Sequence, residues 1–309
     1  MRAEQYANRL LYPLQQLGRI VTVAIGLSLL AACNGPTTAE GVRLYSEGKF
    51  QEARDVLQQR VPRNDPVASY FLAQMYERGD GVKADLDQAL NLYMSAASRG
   101  LPQGQAALAA LQVTAAQGEQ LALRLQTLKE VASQHPEAGL PRLCEALLFL
   151  GVKDQETDYG SDFLACAEQL KHYDDVSAAR LLASAHVSGA LAKKDFAKAA
   201  EFASQAAAAG DAGGHAMLAA AYAQGLGKPQ DFSRAYIHAG TALAAGGRQM
   251  SENRRKELEQ VQKRAERNLS PTALQQANKE IERLKTEAAA QLHGWEMKHR
   301  FGWAMQGAQ

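Results

Sequence analysis

Residues Ala68 to Gly100, ASYFLAQMYERGDGVKADLDQALNLYMSAASRG, decide the fold of this 309-residue chain. Ala68, Leu72 and Met75 recur at helical spacing and mark one buried face. Gly79 and Gly81 follow; glycine is the residue that supplies the positive φ a tight turn needs. Asp85 then offers a side-chain oxygen to the free N–H groups of a second helix. Gln88, three residues on, is placed to complete a capping box. Ala89, Ala96 and Ala97 keep the inner face of the second helix small, and Gly100 ends it. The stretch therefore reads as one helical hairpin.

The same template returns 110 residues later in Ala178, Leu182, His186, Gly189, Asp195, Ala199, Ala206, Ala207 and Gly210. It returns again 36 residues after that in Gly214, Leu218, Tyr222, Gly225, Asp231, Ala235, Ala242, Leu243 and Gly246. A fixed period of this length is the mark of a solenoid, in which each unit buries its open face on the next.

These residues, in the pattern A-x3-L-x2-M/Y-Y…G-x-G-V-x2-D-x3-A-x6-AA-x2-G, resemble the Sel-one-like repeat family, a relative of the tetratricopeptide repeat. The resemblance covers three units clearly and implies an all-α superhelix that binds other proteins. It names no partner. Leu44, Tyr45, Gly48, Phe50, Ala53 and Leu57 resemble a truncated first unit. Between Gly104 and Ser177 the repeat degenerates, with room for two further units. Leu121, Leu125, Leu128 and Val131 form one stripe stopped by Pro136. Leu143, Ala146, Leu147 and Leu150 form another, ended by Gly151, and Ser161 is placed to cap the next helix. About six hairpins are expected over residues 41–247.

Residues 1–32 read as a secretion signal: a basic start with Arg2, Arg9 and Arg19, then an apolar run from Ile20 to Leu30. That run is too short for a bilayer span, which takes ~20 residues. It ends in Leu30-Ala31-Ala32-Cys33, which resembles a bacterial lipobox; the resemblance implies lipidation of Cys33 and a tether over residues 33–40. Each buried CH₂ of such a lipid contributes about 0.8 kcal/mol to anchoring. Asn34 after the cysteine implies, by the family's sorting rule, the outer membrane facing the periplasm. The bland alternative is an uncleaved signal anchor.

Cys144 and Cys166 are the remaining cysteines. If the intervening segment folds back they face one another, and an oxidising compartment favours a disulfide. Some secreted members of the repeat family staple hairpins this way, with different spacing. The other reading is two small apolar core residues.

After Gly247 the character changes. A highly charged helix precedes Ser270-Pro271, a strong helix start. Leu274, Ala277, Ile281, Leu284, Ala288, Leu292 and Trp295 then continue at helical spacing, giving a helix longer than any in the repeats. Residues 248–309 are expected to cap the solenoid, since an array needs an atypical end unit. Trp295, Phe301 and Trp303 are candidate partner-binding anchors if exposed, or a cover for an apolar groove if not.

The seven histidines form no metal-ligand pair, no phosphate loop is present, and the net charge of +1 points to no nucleic acid. No catalytic residue, cofactor, metal or small-molecule substrate is expected. The expected function is a periplasmic, lipid-anchored scaffold for envelope proteins. One member of the resembled family is a lipoprotein of alginate secretion, so polysaccharide secretion is one such setting. The alternative is a hydrolase of cell-wall fragments or β-lactams, an activity attributed to cysteine-rich relatives. Ser46-x-x-Lys49 is the one pair with that spacing, and it lacks the partner motifs such enzymes carry.

Overall fold

The computed structural model describes residues 36–246, 250, 252–296, 301, 303 and 304, without the side chains of 252 and 292–296. Residues 1–35, and with them the segment read as a secretion signal and Cys33, lie outside the described residues, as does the side chain of Trp295.

The described residues form an all-α solenoid. Twelve helices pair in sequence order: α1 (Thr38–Ser46) with α2 (Phe50–Arg60), α3 (Pro66–Arg78) with α4 (Leu86–Ser98), and α5 (Pro102–Ala115) with α6 (Glu119–Gln134). They continue with α7 (Pro136–Lys153) and α8 (Gly160–Leu170), α9 (Asp175–Ser188) and α10 (Phe196–Ala208), and α11 (Ala212–Gln224) and α12 (Phe232–Gly246). Each hairpin packs on the next, and α13 (Glu252–Glu266) and α14 (Pro271–Glu296) follow against α12. The first helix begins at Thr38, inside the segment read as a tether, because Thr37 accepts the Glu40 N–H and caps it.

The three clear repeats are built alike. Gly79, Gly189 and Gly225 each close a first helix with φ of 78°, 72° and 72°, a conformation in which a side chain is strained. Asp85, Asp195 and Asp231 each accept backbone N–H groups of the second helix. The capping box at Gln88 does not close: the Asp85 N–H donates instead to the Tyr76 carbonyl, 2.9 Å away. The Asp195 and Asp231 N–H groups do the same to His186 and Tyr222. The turn thus delivers an otherwise unpaired end-of-helix carbonyl to the cap's own N–H, and no glutamine is needed.

Leu72, Leu182 and Leu218 occupy like environments, 4%, 5% and 3% exposed, and Ala89, Ala199 and Ala235 are buried beside them. Gly100 and Gly210 end their hairpins at positive φ. Nesting between hairpins rests on small residues. A Cβ on Gly214 would lie 2.6 Å from the Ala207 nitrogen, and one on Gly104 would lie 2.7 Å from the Ala96 Cβ. At these points one helix backbone touches the previous hairpin.

The middle of the chain departs from its sequence reading in two places. Gly151 does not end its helix, which runs on to Lys153; the missing side chain leaves room for Leu191, whose Cδ2 would lie 2.1 Å from a Cβ there. Ser161 does not cap the next helix: it lies inside it, and the Gly160 N–H donates to Asp158. Cys144 and Cys166 are joined by a disulfide, with Cα atoms 5.7 Å apart, fastening α7 to α8.

Candidate functional site

The first helices of hairpins one to five turn toward a common inner face. One cavity of 340 Å³ is lined by Tyr45 of α1, Tyr70 of α3, Gln103 of α5, Arg142 of α7 and Arg180 of α9. For five successive hairpins to meet one cavity, their row must curve, so this face is the concave side. In the repeat register Tyr70 and Arg180 hold the same slot, as do Gln74 and Ser184, and Arg78 and Ser188. These slots recur at i, i+4 and i+8 along the first helix, the row left over when Leu72 and its equivalents take the core side.

Charge on the inner face is partly internally matched. Arg142 Nη1 stands 3.3 Å from Glu77 Oε1, and the Tyr93 hydroxyl donates to Glu77 at 2.5 Å, tying hairpin two to hairpin four. Burial alone would raise the Glu77 carboxyl, but Arg142 and the Tyr93 hydroxyl hold it below its usual range. Arg180 reaches Glu145 at 3.6 Å. The Tyr45 hydroxyl donates to Asp80 at 2.8 Å, while burial pushes that carboxyl up. Arg78 is exposed at the cavity wall; Glu77 and Asp80 act on it through space, but no carboxylate among the described residues comes within ion-pair distance of it. Gln103 Oε1 is buried in the same cavity with no hydrogen-bond partner among the described residues.

Phe301 and Trp303 of this same chain enter this groove. Helix α14 lies on hairpin six, where the Tyr236 hydroxyl donates to Asn278 and Ile281 fills the space above Gly240. It then passes Gly210, whose absent side chain admits the Ala288 backbone. Beyond it, Phe301 stacks on Phe71 at 6.0 Å and Trp303 stacks on the same ring at 5.9 Å. Trp303 also meets Tyr70 edge-on at 5.7 Å, and Phe301 meets Tyr45 at 6.3 Å. Phe301 is 3% exposed, and Trp303 is half-buried. Of the two readings of Phe301 and Trp303, exposed anchors or a cover for an apolar groove, the structure has the second, because the groove's aromatic floor offers them more apolar contact than water does.

The second cluster of interest was not visible in the sequence. His215 Nδ1 and His238 Nδ1 are 2.9 Å apart, between α11 and α12. His238 lies parallel to Tyr222, the rings 5.7 Å apart, and Arg234 donates to the Tyr222 hydroxyl. His186 and Phe202 stack in the matching slots one repeat earlier, at 5.9 Å. Burial lowers both histidines of the pair, His238 to about 4, helped by the facing His215 and Arg234. Only the internal register, which aligns His238 with Phe202, would have flagged it as part of a recurring ring stack.

Ser46 and Lys49 do not engage each other: the Ser46 hydroxyl donates to the Arg43 carbonyl at 2.7 Å, and Lys49 pairs with Glu47 at 2.8 Å. No described helix is long and apolar enough to cross a membrane.

Comparison with known proteins agrees with the internal register. The Sel1 repeat pattern matches residues 66–101, 176–211 and 212–247. Among solved structures, c5321, a protective antigen of uropathogenic Escherichia coli strains displaying an SLR fold, is 20% identical with a TM-score of 0.40. That likeness covers 83% of this chain and 63% of the c5321 chain, so this chain spans less than two thirds of it. A Sel1 repeat protein from Oxalobacter formigenes is also 20% identical, with a TM-score of 0.38, covering 67% of this chain and 84% of that one. No curated protein sequence matches. The matched segments are hairpins two, five and six, each carrying the alanine, leucine, glycine and aspartate positions that set the nesting, so the chain contains three Sel1 repeats.

Proposed function

We propose that this protein is a scaffold tethered to the outer membrane through lipidated Cys33, holding segments of periplasmic envelope proteins in its concave groove. Sel1 repeats indicate protein–protein interaction, and that much follows from the family. The observation that carries the reading further is the groove itself: a 340 Å³ cavity fed by five successive hairpins, with an aromatic floor and flanking guanidinium groups. Aromatic and arginine side chains are the types enriched where binding energy concentrates. The lipobox resemblance at Leu30 to Cys33 supports the tether, and an envelope complex such as one for polysaccharide secretion supplies partners in reach of it.

Two measurements test this. A photo-crosslinking residue in place of Arg180, on the groove, is expected to capture specific envelope proteins in intact cells. One in place of Leu123, 60% exposed and outside the groove lining, is expected not to. Palmitate labelling is expected in the wild type and absent in Cys33→Ala. Equal capture from both positions would overturn the scaffold reading, and labelling that survives Cys33→Ala would overturn the tether.

A further inference from the structure

We infer that Phe301 and Trp303 are a built-in competitor for the groove, and that the partner is a protein segment carrying two aromatic side chains one residue apart beside a carboxylate. The inference rests on the scaffold reading above and names the chemistry of its ligand. The first part follows from what already fills the site. Phe301 and Trp303, separated by one residue, both stack on Phe71 and touch Tyr45 and Tyr70. A surface that accepts two rings at this spacing from its own chain accepts them from another.

The second part follows from what the described residues leave without a close partner. Arg78 lines the same cavity without a carboxylate in ion-pair reach among the described residues, whereas Arg142 and Arg180 have Glu77 and Glu145. Gln103 Oε1 lines it too, buried and without a donor among the described residues. An incoming backbone N–H beside an acidic side chain would satisfy both groups. A guanidinium meeting a carboxylate in a partly dried groove forms a stronger hydrogen bond than a neutral pair does. The partner therefore displaces the two terminal rings and gains a charge contact they do not make.

When a competitor holds a site closed, apparent affinity falls by the fraction of molecules that are open. The probes are two labelled synthetic peptides, DFGWD and KFGWK, titrated by fluorescence anisotropy into the full chain. The acidic peptide is expected to bind the wild type more tightly than the basic one, and Arg78→Glu is expected to abolish or reverse that preference. The double variant Phe301→Ala/Trp303→Ala is expected to bind the acidic peptide at least roughly tenfold more tightly than the wild type. The single variant Trp303→Ala, which removes only the half-buried ring, gives an intermediate gain if the double variant proves unstable.

Variants that keep their helical content and bind no better than wild type overturn the competitor. So does concentration-dependent dimerisation that the double variant abolishes, because the segment would then belong in a second copy's groove. Failure here with groove crosslinks still capturing envelope proteins removes only this inference. Failure of both removes the scaffold reading as well.

Discussion

Replacing Gly214 by alanine puts the nesting argument at risk with a single methyl group. Gly214 lies in the first turn of α11 at negative φ, so alanine meets no backbone strain there. On helix propensity alone the change would stabilise by about 0.5–1 kcal/mol. The added Cβ, however, would lie 2.6 Å from the Ala207 nitrogen, 2.8 Å from the Ala203 oxygen and 2.9 Å from the Ala206 Cβ. Two of these are backbone atoms of α10, which cannot swing aside as a side chain can. Overpacking of this kind costs about 1–3 kcal/mol, and backbone contact places it at the upper end. The net expectation is a loss of about 2 kcal/mol. Urea unfolding followed by circular dichroism would show the midpoint falling by roughly 0.7 M, taking a slope of about 3 kcal/mol/M. Gly213→Ala is the matched control: its nearest neighbours are the Asp211 carboxylate and the flexible Arg180 side chain. It is expected to stay within about 0.5 kcal/mol of wild type, as surface changes usually do. A Gly214→Ala protein as stable as wild type, or a Gly213→Ala protein that is the less stable of the two, would refute the claim that hairpin spacing is set by backbone contact.

Three further outcomes are expected. Breaking the Cys144–Cys166 bond with the double serine variant frees a loop of sequence separation 22, which by loop-closure entropy removes about 3 kcal/mol, read from unfolding midpoints of the two proteins. The His238 pKa is lowered in the fold to about 4 by burial, then by His215 and Arg234, so its contribution is full above the ordinary histidine value and lost as pH falls toward 4. At about 1.4 kcal/mol per unit that is a loss of about 3 kcal/mol; His238→Phe, which installs the ring found at Phe202, is expected to flatten thermal stability against pH over that range. Arg142→Met strands the Glu77 carboxylate, 24% exposed, and is expected to cost about 1–3 kcal/mol, most of it recovered when Glu77→Gln is added; an additive double-mutant cycle would refute the pairing.

The features legible in the sequence are those written by near neighbours in the chain. Asp85, Asp195 and Asp231 cap the helices that begin beside them, and Gly79, Gly189 and Gly225 turn left-handed because the next few residues must reverse direction. Buried leucines and alanines at helical spacing fixed which face each helix would hide, and the period fixed that the units would stack. The chain alone did not show that Gly151 makes room for Leu191, or that a carbonyl from the preceding helix replaces Gln88 at the cap, since both depend on how two helices approach. The groove lies further still from local reading. Arg142 and Glu77 are 65 residues apart, His215 and His238 are 23 apart, and Phe301 meets Phe71 from the opposite end of the molecule. Whether two aromatic residues near a terminus are free or buried is set by the surface that curvature brings to them. That curvature sums small tilts between hairpins, each fixed by contacts such as Gly214 on Ala207, so the fold was local information and the site was not.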